Sequence, residues 1–121
     1  MASLQQYVET CGKWLECRSF VISDNNGVEI AAWGEKLEDL QLSCAIFQSS
    51  IENLGKLPTG KGKSLTLKFV DKILIQQNLN SIYVTVVLPI DGSIGKVFSS
   101  FEKVEKDLRP LVDLISSPKE N

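Results

Sequence analysis

The sequence predicts an α+β fold in which the elements follow the order α-β-β-α-β-β-β-α. Three segments place apolar residues at intervals of three and four, the pattern of helices that pack through one face. Five shorter segments alternate apolar and polar residues or are rich in β-branched residues. Because neither repeats nor linkers interrupt these elements, we expect residues 1–117 to form a single domain and residues 118–121 to be a frayed tail.

The first three elements are a helix and a β-hairpin. Apolar residues between Leu4 and Leu15 recur on one helical face. The strand Ser19–Ser23 follows, and Asp24–Gly27 offers residues that tolerate the positive φ angles of a tight turn. The returning strand is Val28–Trp33. These patterns predict a short helix followed by two antiparallel strands.

A second helix is predicted in the middle of the chain. Apolar residues between Leu37 and Leu54 step by three or four, and Glu35 would complement the positive end of this helix. Gly55 fits a left-handed residue at the C-terminal end, and Pro58 prevents continuation. We therefore expect the helix to end at Leu54.

Three further strands are predicted after this helix. Leu65–Phe69 alternates apolar and polar side chains, Asp71–Lys72 is predicted as a turn, and Ile73–Gln76 forms the next strand. The last strand, Ile82–Leu88, carries apolar side chains on both faces. A strand of this kind is typically central in its sheet and covered on both sides.

A long helix is predicted near the C-terminus. Apolar residues between Ile94 and Ile115 step by three or four. Pro110 lies inside this segment, where proline removes one backbone hydrogen bond, so we expect a kink. Either Asp91 or Ser93 is expected to cap the first turn of the helix.

The composition excludes several classes of function. The 121 residues include no histidine, which rules out Ser-His-Asp and Cys-His catalysis and most zinc sites. The formal net charge of −2 gives no reason to expect nucleic acid or an anionic membrane as a direct partner.

We recognise no signal peptide or membrane span and expect an intracellular protein. Cys11, Cys17 and Cys44 lack C-x-x-C spacing and suit reduced core positions.

The stretch Gly55–Ser64, GKLPTGKGKS, differs at one position from the phosphate-binding loop G-x-x-x-x-G-K-[ST]. The last position of that pattern is occupied by Gly62, which has no hydroxyl to hold magnesium. A phosphate-binding loop also follows a strand and opens a helix, whereas this stretch leaves a predicted helix and enters a predicted strand. We interpret it as a connector, and a nucleotide-binding enzyme is the least favoured alternative.

Three other places in the sequence are candidates for chemistry or binding. The glycine-containing junction Asp91–Lys96 is too short for the nucleotide motif, and its aspartate would repel phosphate. Glu102, Glu105 and Asp107 are carboxylates on a solvated helix face with basic neighbours. Trp33 could be an exposed binding anchor, although packing is the favoured interpretation. We therefore expect no catalytic residue, no metal and no cofactor.

The element order and the stretch Phe20–Val28 resemble the roadblock/dynein light chain family, and this resemblance covers nearly the whole chain. Phe20–Val28 places a hydrophobic strand, a Ser/Asp/Gly turn and a second strand after a short helix, as members of that family do. The C-terminal half is similar to the branch that contains the mitogen-activated-protein-kinase scaffold subunits of the Ragulator complex, the LAMTOR family. That similarity covers Asn53–Gly55, Lys63–Ser64 and Ser100–Leu111. The last of these segments ends in Leu-x-Pro-Leu, and the resemblance implies a proline at this place, which is Pro110.

The resemblance implies a five-stranded antiparallel sheet with the second helix on one face and the terminal helices on the other. It also implies that two such domains pair through their second helices and third strands into a continuous ten-stranded sheet. An edge strand offers unpaired backbone groups, which gives this pairing a physical reason, and a proline at Leu67 is expected to weaken it. The expected dimer-interface residues are Cys44, Phe47, Gln48, Ile51, Leu65, Thr66, Leu67, Lys68 and Phe69.

The resemblance further implies a non-catalytic scaffold subunit that forms a heterodimer with a second roadblock-domain protein. Its other expected partners are Rag-type GTPases, further Ragulator subunits and kinases of the MAP kinase pathway, in support of amino-acid signalling through the TOR kinase. Its expected place is the cytoplasmic side of late endosomes and lysosomes, held there by partner subunits without direct membrane insertion. The alternatives are a roadblock-type regulator of another small GTPase and a dynein light chain, for both of which a homodimer is expected.

Overall fold

A computed structural model describes residues 3–24, 26–36, 63–79 and 81–116 of the chain. These ranges contain α1 Leu4–Leu15, β1 Ser19–Asp24, β2 Glu29–Gly34, β3 Lys63–Lys68, β4 Lys72–Asn78, β5 Ile82–Pro89 and α2 Ile94–Ser116. All seven elements predicted in these ranges are therefore present. The helix predicted between Leu37 and Leu54 lies outside the described residues, and so do Cys44, Phe47, Gln48 and Ile51.

The five strands form one antiparallel sheet in the order β2-β1-β5-β4-β3. β5 lies in the middle, and all side chains from Ile82 to Leu88 are buried. The prediction of a central strand covered on both faces is confirmed. β2 and β3 form the two edges of the sheet. Pairing of two domains through their third strands requires β3 to lie at an edge.

Side-chain hydrogen bonds set the start of α1. The Gln6 N–H donates to Ser3 Oγ at 3.0 Å, and the Ser3 N–H donates to Gln6 Oε1 at 3.1 Å. This reciprocal capping box satisfies N–H groups that have no partner within the helix. At the other end, Glu16 adopts a left-handed conformation with φ 55°, which terminates the helix.

The β1–β2 turn is built around one carboxylate and one glycine. Asp24 Oδ1 accepts hydrogen bonds from the backbone N–H groups of Asn26 and Val28, each at 2.9 Å. Gly27 has φ 86°, so the positive φ angle predicted for this turn is confirmed. β2 begins at Glu29, one residue later than predicted.

The β3–β4 turn differs from the prediction. Phe69 was expected to end the third strand, but its N–H donates to Lys72 O at 2.8 Å and closes the turn. β4 is longer than predicted and extends to Asn78. The extension follows from pairing with β5, because the two strands remain in register over all of β4.

Ser93 begins the C-terminal helix. The Lys96 N–H donates to Ser93 Oγ at 3.1 Å, which decides between the two predicted caps in favour of Ser93. Pro110 lies inside α2, as predicted, and the kink expected there stays a prediction.

Both described helices pack on one face of the sheet. The buried core on this face joins apolar side chains of α1, α2 and every described strand except β3; its helical members are Val8, Leu15, Val97, Val104 and Leu108. The two helices run antiparallel, since Tyr7 of α1 contacts Asp107 of α2 and Trp14 of α1 contacts Lys96 of α2. Within the described ranges, α1 and α2 therefore cover one face of the sheet, and β2 and β3 lie at its two edges.

Candidate interaction surface

The edge strand β3 carries the described part of the expected dimer interface. Leu65 and Leu67 are half-buried, whereas Thr66 and Lys68 are exposed. Phe69 follows the strand and is 45% exposed. The structure places these five residues together at one sheet edge, and their role in dimerisation stays a prediction.

The register of β3 against β4 determines which backbone groups point away from the sheet. Hydrogen-bonded and non-hydrogen-bonded residue pairs alternate along an antiparallel ladder. Phe69 and Lys72 are a bonded pair, and the register is unbroken along β3. Counting back from this pair, Leu67 bonds to β4, whereas Thr66 directs its N–H and C=O outward. Within the described part of the chain, these outward groups of Thr66 have no hydrogen-bond partner.

Because of this register, proline at Thr66 is a better test of pairing between two domains than proline at Leu67. A proline at Leu67 would remove a donor from the β3–β4 ladder of the domain itself. A proline at Thr66 would instead remove a donor that no described residue of the chain uses and that is available to a partner strand. Periodicity in the sequence cannot distinguish the two positions, because the direction of the N–H groups depends on the pairing register.

The opposite sheet edge is partly covered. Gln5 Nε2 of α1 donates to Ala32 O of β2 at 2.8 Å. A β-bulge at Ile22 and Ser23 shifts the pairing of β1 with β2, and the charged Glu29 begins the edge strand. Bulges, charges and side-chain coverage discourage the addition of a further strand. No pattern in the sequence indicated the contact between Gln5 and Ala32, which are 27 residues apart.

The GKLPTGKGKS stretch ends inside β3. Lys63 and Ser64, its last two residues, are the first two residues of this strand. The stretch therefore leads into a strand, whereas a phosphate-binding loop opens a helix. Residues 55–62 lie outside the described residues.

The described thiols are packing groups with little nucleophilic character. Burial raises the pKa of Cys17 to about 11 and also raises the pKa of Cys11, so both thiols are protonated at neutral pH. Cys17 is buried and Cys11 is half-buried, and neither is in a disulfide. Their predicted role in packing is confirmed, while Cys44 lies outside the described residues.

One polar cluster connects the two helices. Asp107 Oδ2 accepts a hydrogen bond from Lys103 Nζ at 2.6 Å and another from Tyr7 Oη at 3.0 Å. The Lys103 ammonium is the main cause that holds the pKa of the Asp107 carboxyl below its ordinary value, and the Tyr7 hydroxyl acts in the same direction. Burial raises the pKa of Tyr7. The sequence indicated the basic neighbours of Asp107 but not the contact with Tyr7.

Trp33 packs inside the domain. Its side chain is half-buried against the core, and its indole ring lies beside Gly12 of α1. The favoured interpretation of Trp33 as a packing residue is confirmed. Its place on β2 opposite Phe20 of β1 explains why it faces the helices, since Phe20 is itself a core residue.

Two further observations concern metals and membranes. Among residues 3–24, 26–36, 63–79 and 81–116, no group of three or more Cys, Asp or Glu side chains is arranged to hold a metal ion. Of the helices described, neither is long and apolar enough to cross a membrane.

One curated relative is similar to the chain along most of its length. It is the Ragulator complex protein LAMTOR3 homolog of Dictyostelium discoideum, which is 22% identical over 105 residues. The matched region covers 82% of this chain and 79% of that protein. No protein-family model matches the chain.

Solved structures of low sequence identity share the fold. The roadblock/LC7 domain from Streptomyces avermitilis has a TM-score of 0.71 at 11% identity, covering 92% of this chain and 98% of the domain. Myxococcus xanthus MglB has a TM-score of 0.72 at 13% identity, covering 99% and 98%. A further structure, described as MglB with tetrameric arrangement, has a TM-score of 0.71 at 14% identity and covers 95% of each chain. The chain therefore has the roadblock/LC7 fold, and its resemblance to the roadblock/dynein light chain family, close to the Ragulator subunits, is confirmed.

Proposed function

We propose that this chain is a non-catalytic scaffold subunit that pairs with a second roadblock-domain protein through β3. The observation that carries the proposal is the difference between the two sheet edges. β2 is covered by Gln5 and interrupted by a bulge, whereas Thr66 of β3 directs backbone groups outward. A partner strand would satisfy these groups, and Leu65 and Leu67 would supply apolar contact beside them. The residues of the expected helix interface, Cys44, Phe47, Gln48 and Ile51, belong to the same proposal.

The curated relative supports the kind of assembly. Because that relative is a Ragulator complex protein, we infer that this chain belongs to a Ragulator-like complex. In such a complex it would help to recruit Rag-type GTPases and MAP kinase pathway kinases and so support TOR signalling. Its proposed place is the surface of late endosomes or lysosomes, where other subunits would supply the membrane attachment.

The proposed mechanism is positioning. A scaffold acts through binding free energy, which holds its partners at a high effective concentration relative to one another. No bond is made or broken on the chain itself. Burial raises the pKa of both described thiols, which agrees with this mechanism because a protonated thiol is a poor nucleophile.

Mass spectrometry of proteins that co-purify with the tagged chain tests this function. We expect a second roadblock-domain protein in equal amount, together with other Ragulator subunits and Rag-type GTPases. A chain with Thr66→Pro should recover less of the roadblock partner than the parent chain does, whereas Thr66→Ala should recover as much. Recovery of the chain without any roadblock protein would contradict the proposal.

Self-association is the second candidate. One of the structures with this fold is described as MglB with tetrameric arrangement. Self-association is also what we expect if the chain is a regulator of another small GTPase. Light scattering of the purified chain separates the two candidates. A stable homodimer or tetramer at micromolar concentration favours the regulator, whereas a monomer that pairs only with the co-purified protein favours the heterodimeric scaffold.

A further inference from the structure

Phe98 is a large apolar side chain that stands partly exposed on α2. It is 40% exposed, and its ring meets the ring of Phe101 edge to face, with 5.1 Å between the two centroids. This contact restrains the direction of the Phe98 ring. The preceding residue, Val97, is buried between the helix and the sheet, so Phe98 projects from the side of α2, about 100° further round the helix.

The flank of α2 that carries Phe98 is turned toward β3. α1 packs on β1 and β2, whereas α2 packs on β5 and contacts Gln77 of β4. In the sheet order β2-β1-β5-β4-β3, α1 therefore lies on one side of α2 and β3 lies on the other. Asp107, which contacts Tyr7 of α1, is about 180° round the helix from Phe98. Phe98 therefore points away from α1 and toward the β3 edge.

Phe98 is also level with the middle of β3. Gln77 Nε2 donates to Phe101 O at 3.2 Å, which places Phe101 above the end of β4. Because α2 begins close to the end of β5, and β5 is antiparallel to β4, α2 and β4 run in the same direction. Phe98 precedes Phe101 by about 4.5 Å along the helix, which corresponds to roughly one to two residues of β4. It therefore stands near Ile75, the residue that pairs with Thr66 of β3.

The face of β3 beneath Phe98 is polar. Paired residues of antiparallel strands project from the same face, and Ile75 belongs to the core under the helices, so Thr66 faces the helical side of the sheet. Ser64 and Lys68 project from this face as well, and all three side chains are exposed. Phe98 thus remains partly exposed beside a strand that offers it only polar neighbours.

We propose that Phe98 belongs to the pairing surface of β3 and packs against a large apolar side chain of the partner strand. This inference rests on the pairing proposed for β3. A partner strand would lie about 4.8 Å beyond β3, and its side chain opposite Thr66 would project toward α2 from the same face. A large apolar side chain at that position reaches the Phe98 ring, and both are removed from water. The contact selects the partner, because a second copy of this chain would present a polar residue of its own β3 there.

Hydroxyl-radical footprinting of the chain, alone and with its co-purified roadblock partner, tests the contact. We expect Phe98 to become protected in the pair. Leu114 is the internal control, because it is 73% exposed and lies about 160° round the same helix from Phe98; it should stay reactive. Unchanged reactivity of Phe98 in the pair would overturn the proposal. Protection of Phe98 in an assembly of this chain alone would overturn the selection of a different partner.

Matched substitutions measure what the contact contributes to affinity. Phe98→Ser should weaken pairing with the co-purified protein by about tenfold, because the exposed part of the ring is no longer there to be buried. Leu114→Ser removes a more exposed apolar side chain and should leave the affinity unchanged. Equal losses in the two variants would contradict a contact specific to Phe98. Circular dichroism shows whether both variants fold, and footprinting of the parent chain decides the contact if Phe98→Ser does not.

Thr66→Pro separates this inference from the pairing on which it rests. If Thr66→Pro weakens pairing and a folded Phe98→Ser chain does not, β3 remains the interface and Phe98 is not part of it. If neither variant weakens pairing, both proposals are wrong.

The third strand of the co-purified roadblock protein provides the last check. We expect a large apolar residue on its helical face, and its replacement by alanine should weaken pairing about as much as Phe98→Ser does. Both changes together should cost little more than either alone, because they remove the same contact. A partner strand with only polar side chains on that face would overturn the proposal.

Discussion

The indole ring of Trp33 occupies the space that a side chain at Gly12 would need. A Cβ atom built on Gly12 would lie 2.7 Å from both Cδ2 and Cζ3 of Trp33, closer than carbon atoms approach without a clash. Gly12 is buried within α1, and Trp33 lies on β2. The glycine therefore permits the close approach of the N-terminal helix to the edge hairpin.

Gly12→Ala should destabilise the domain. Alanine favours helix by about 1 kcal/mol relative to glycine, but overpacking against the indole ring opposes this gain by about 1–3 kcal/mol. We expect a net loss of about 1 kcal/mol in the free energy of unfolding, measured by urea denaturation.

Gly95→Ala is the matched control. A Cβ at Gly95 of α2 meets nothing within 4 Å, so the substitution should stabilise the domain by up to about 1 kcal/mol. In a second background, Trp33→Leu, the cost of Gly12→Ala should shrink because the ring is gone. If Gly12→Ala and Gly95→Ala shift stability in the same favourable direction, the packing relationship is wrong.

Thr66→Pro should weaken pairing without unfolding the domain. Thr66 directs its N–H away from β4, and proline is tolerated on the outer side of an edge strand. Loss of one intermolecular hydrogen bond, worth about 0.5–1.5 kcal/mol, corresponds to a loss of affinity of about two- to thirteenfold. Analytical ultracentrifugation with the co-purified partner measures it, and Thr66→Ala, which keeps the N–H, is the control. A folded Thr66→Pro chain that pairs as tightly as its parent would show that β3 is not the interface.

The carboxyl group of Asp107 should make the free energy of unfolding depend on pH in the acid range. Its pKa is lowered in the folded state, chiefly by Lys103 and also by Tyr7. The stability that it contributes is therefore present above its unfolded pKa of about 3.9 and is lost as the pH falls through the lower folded pKa. Because the group is near the surface, we expect a contribution below about 1 kcal/mol.

The variant Asp107→Asn isolates this contribution. At pH 7 it should be less stable than the parent, and the difference should disappear as the pH is lowered below 4. Chemical denaturation at a series of pH values provides the measurement, with Glu102→Gln as a control on the same helix. A difference between parent and Asp107→Asn that stays constant with pH would contradict the role of the charge.

Ser93→Ala should destabilise the start of α2. Ser93 Oγ accepts the Lys96 N–H, and the loss of such a cap costs about 1 kcal/mol. Asp91 was the other predicted cap, so Asp91→Ala serves as the comparison and should cost less. Thermal unfolding of both variants checks the assignment, and the opposite order of stability would place the cap at Asp91.

The sequence by itself determined the elements that the described ranges contain and the central place of β5 in the sheet. Three-residue and four-residue steps marked α1 and α2, because one face of each helix must be buried. The two-sided apolar pattern of Ile82–Leu88 placed β5 in the centre of the sheet, since both faces of that strand lose contact with water. These features depend on residues that are close together along the chain.

Only the tertiary structure decided how the surfaces differ. The contacts between Gln5 and Ala32, and between Tyr7 and Asp107, join residues that are 27 and 100 positions apart. The outward N–H of Thr66 follows from the register of β3 on β4. None of these contacts produces a periodic pattern in the sequence, because each joins elements that meet only after folding. They determine which sheet edge is open and how α1 lies against α2 and β2, and the pairing proposed for β3 depends on the first of these.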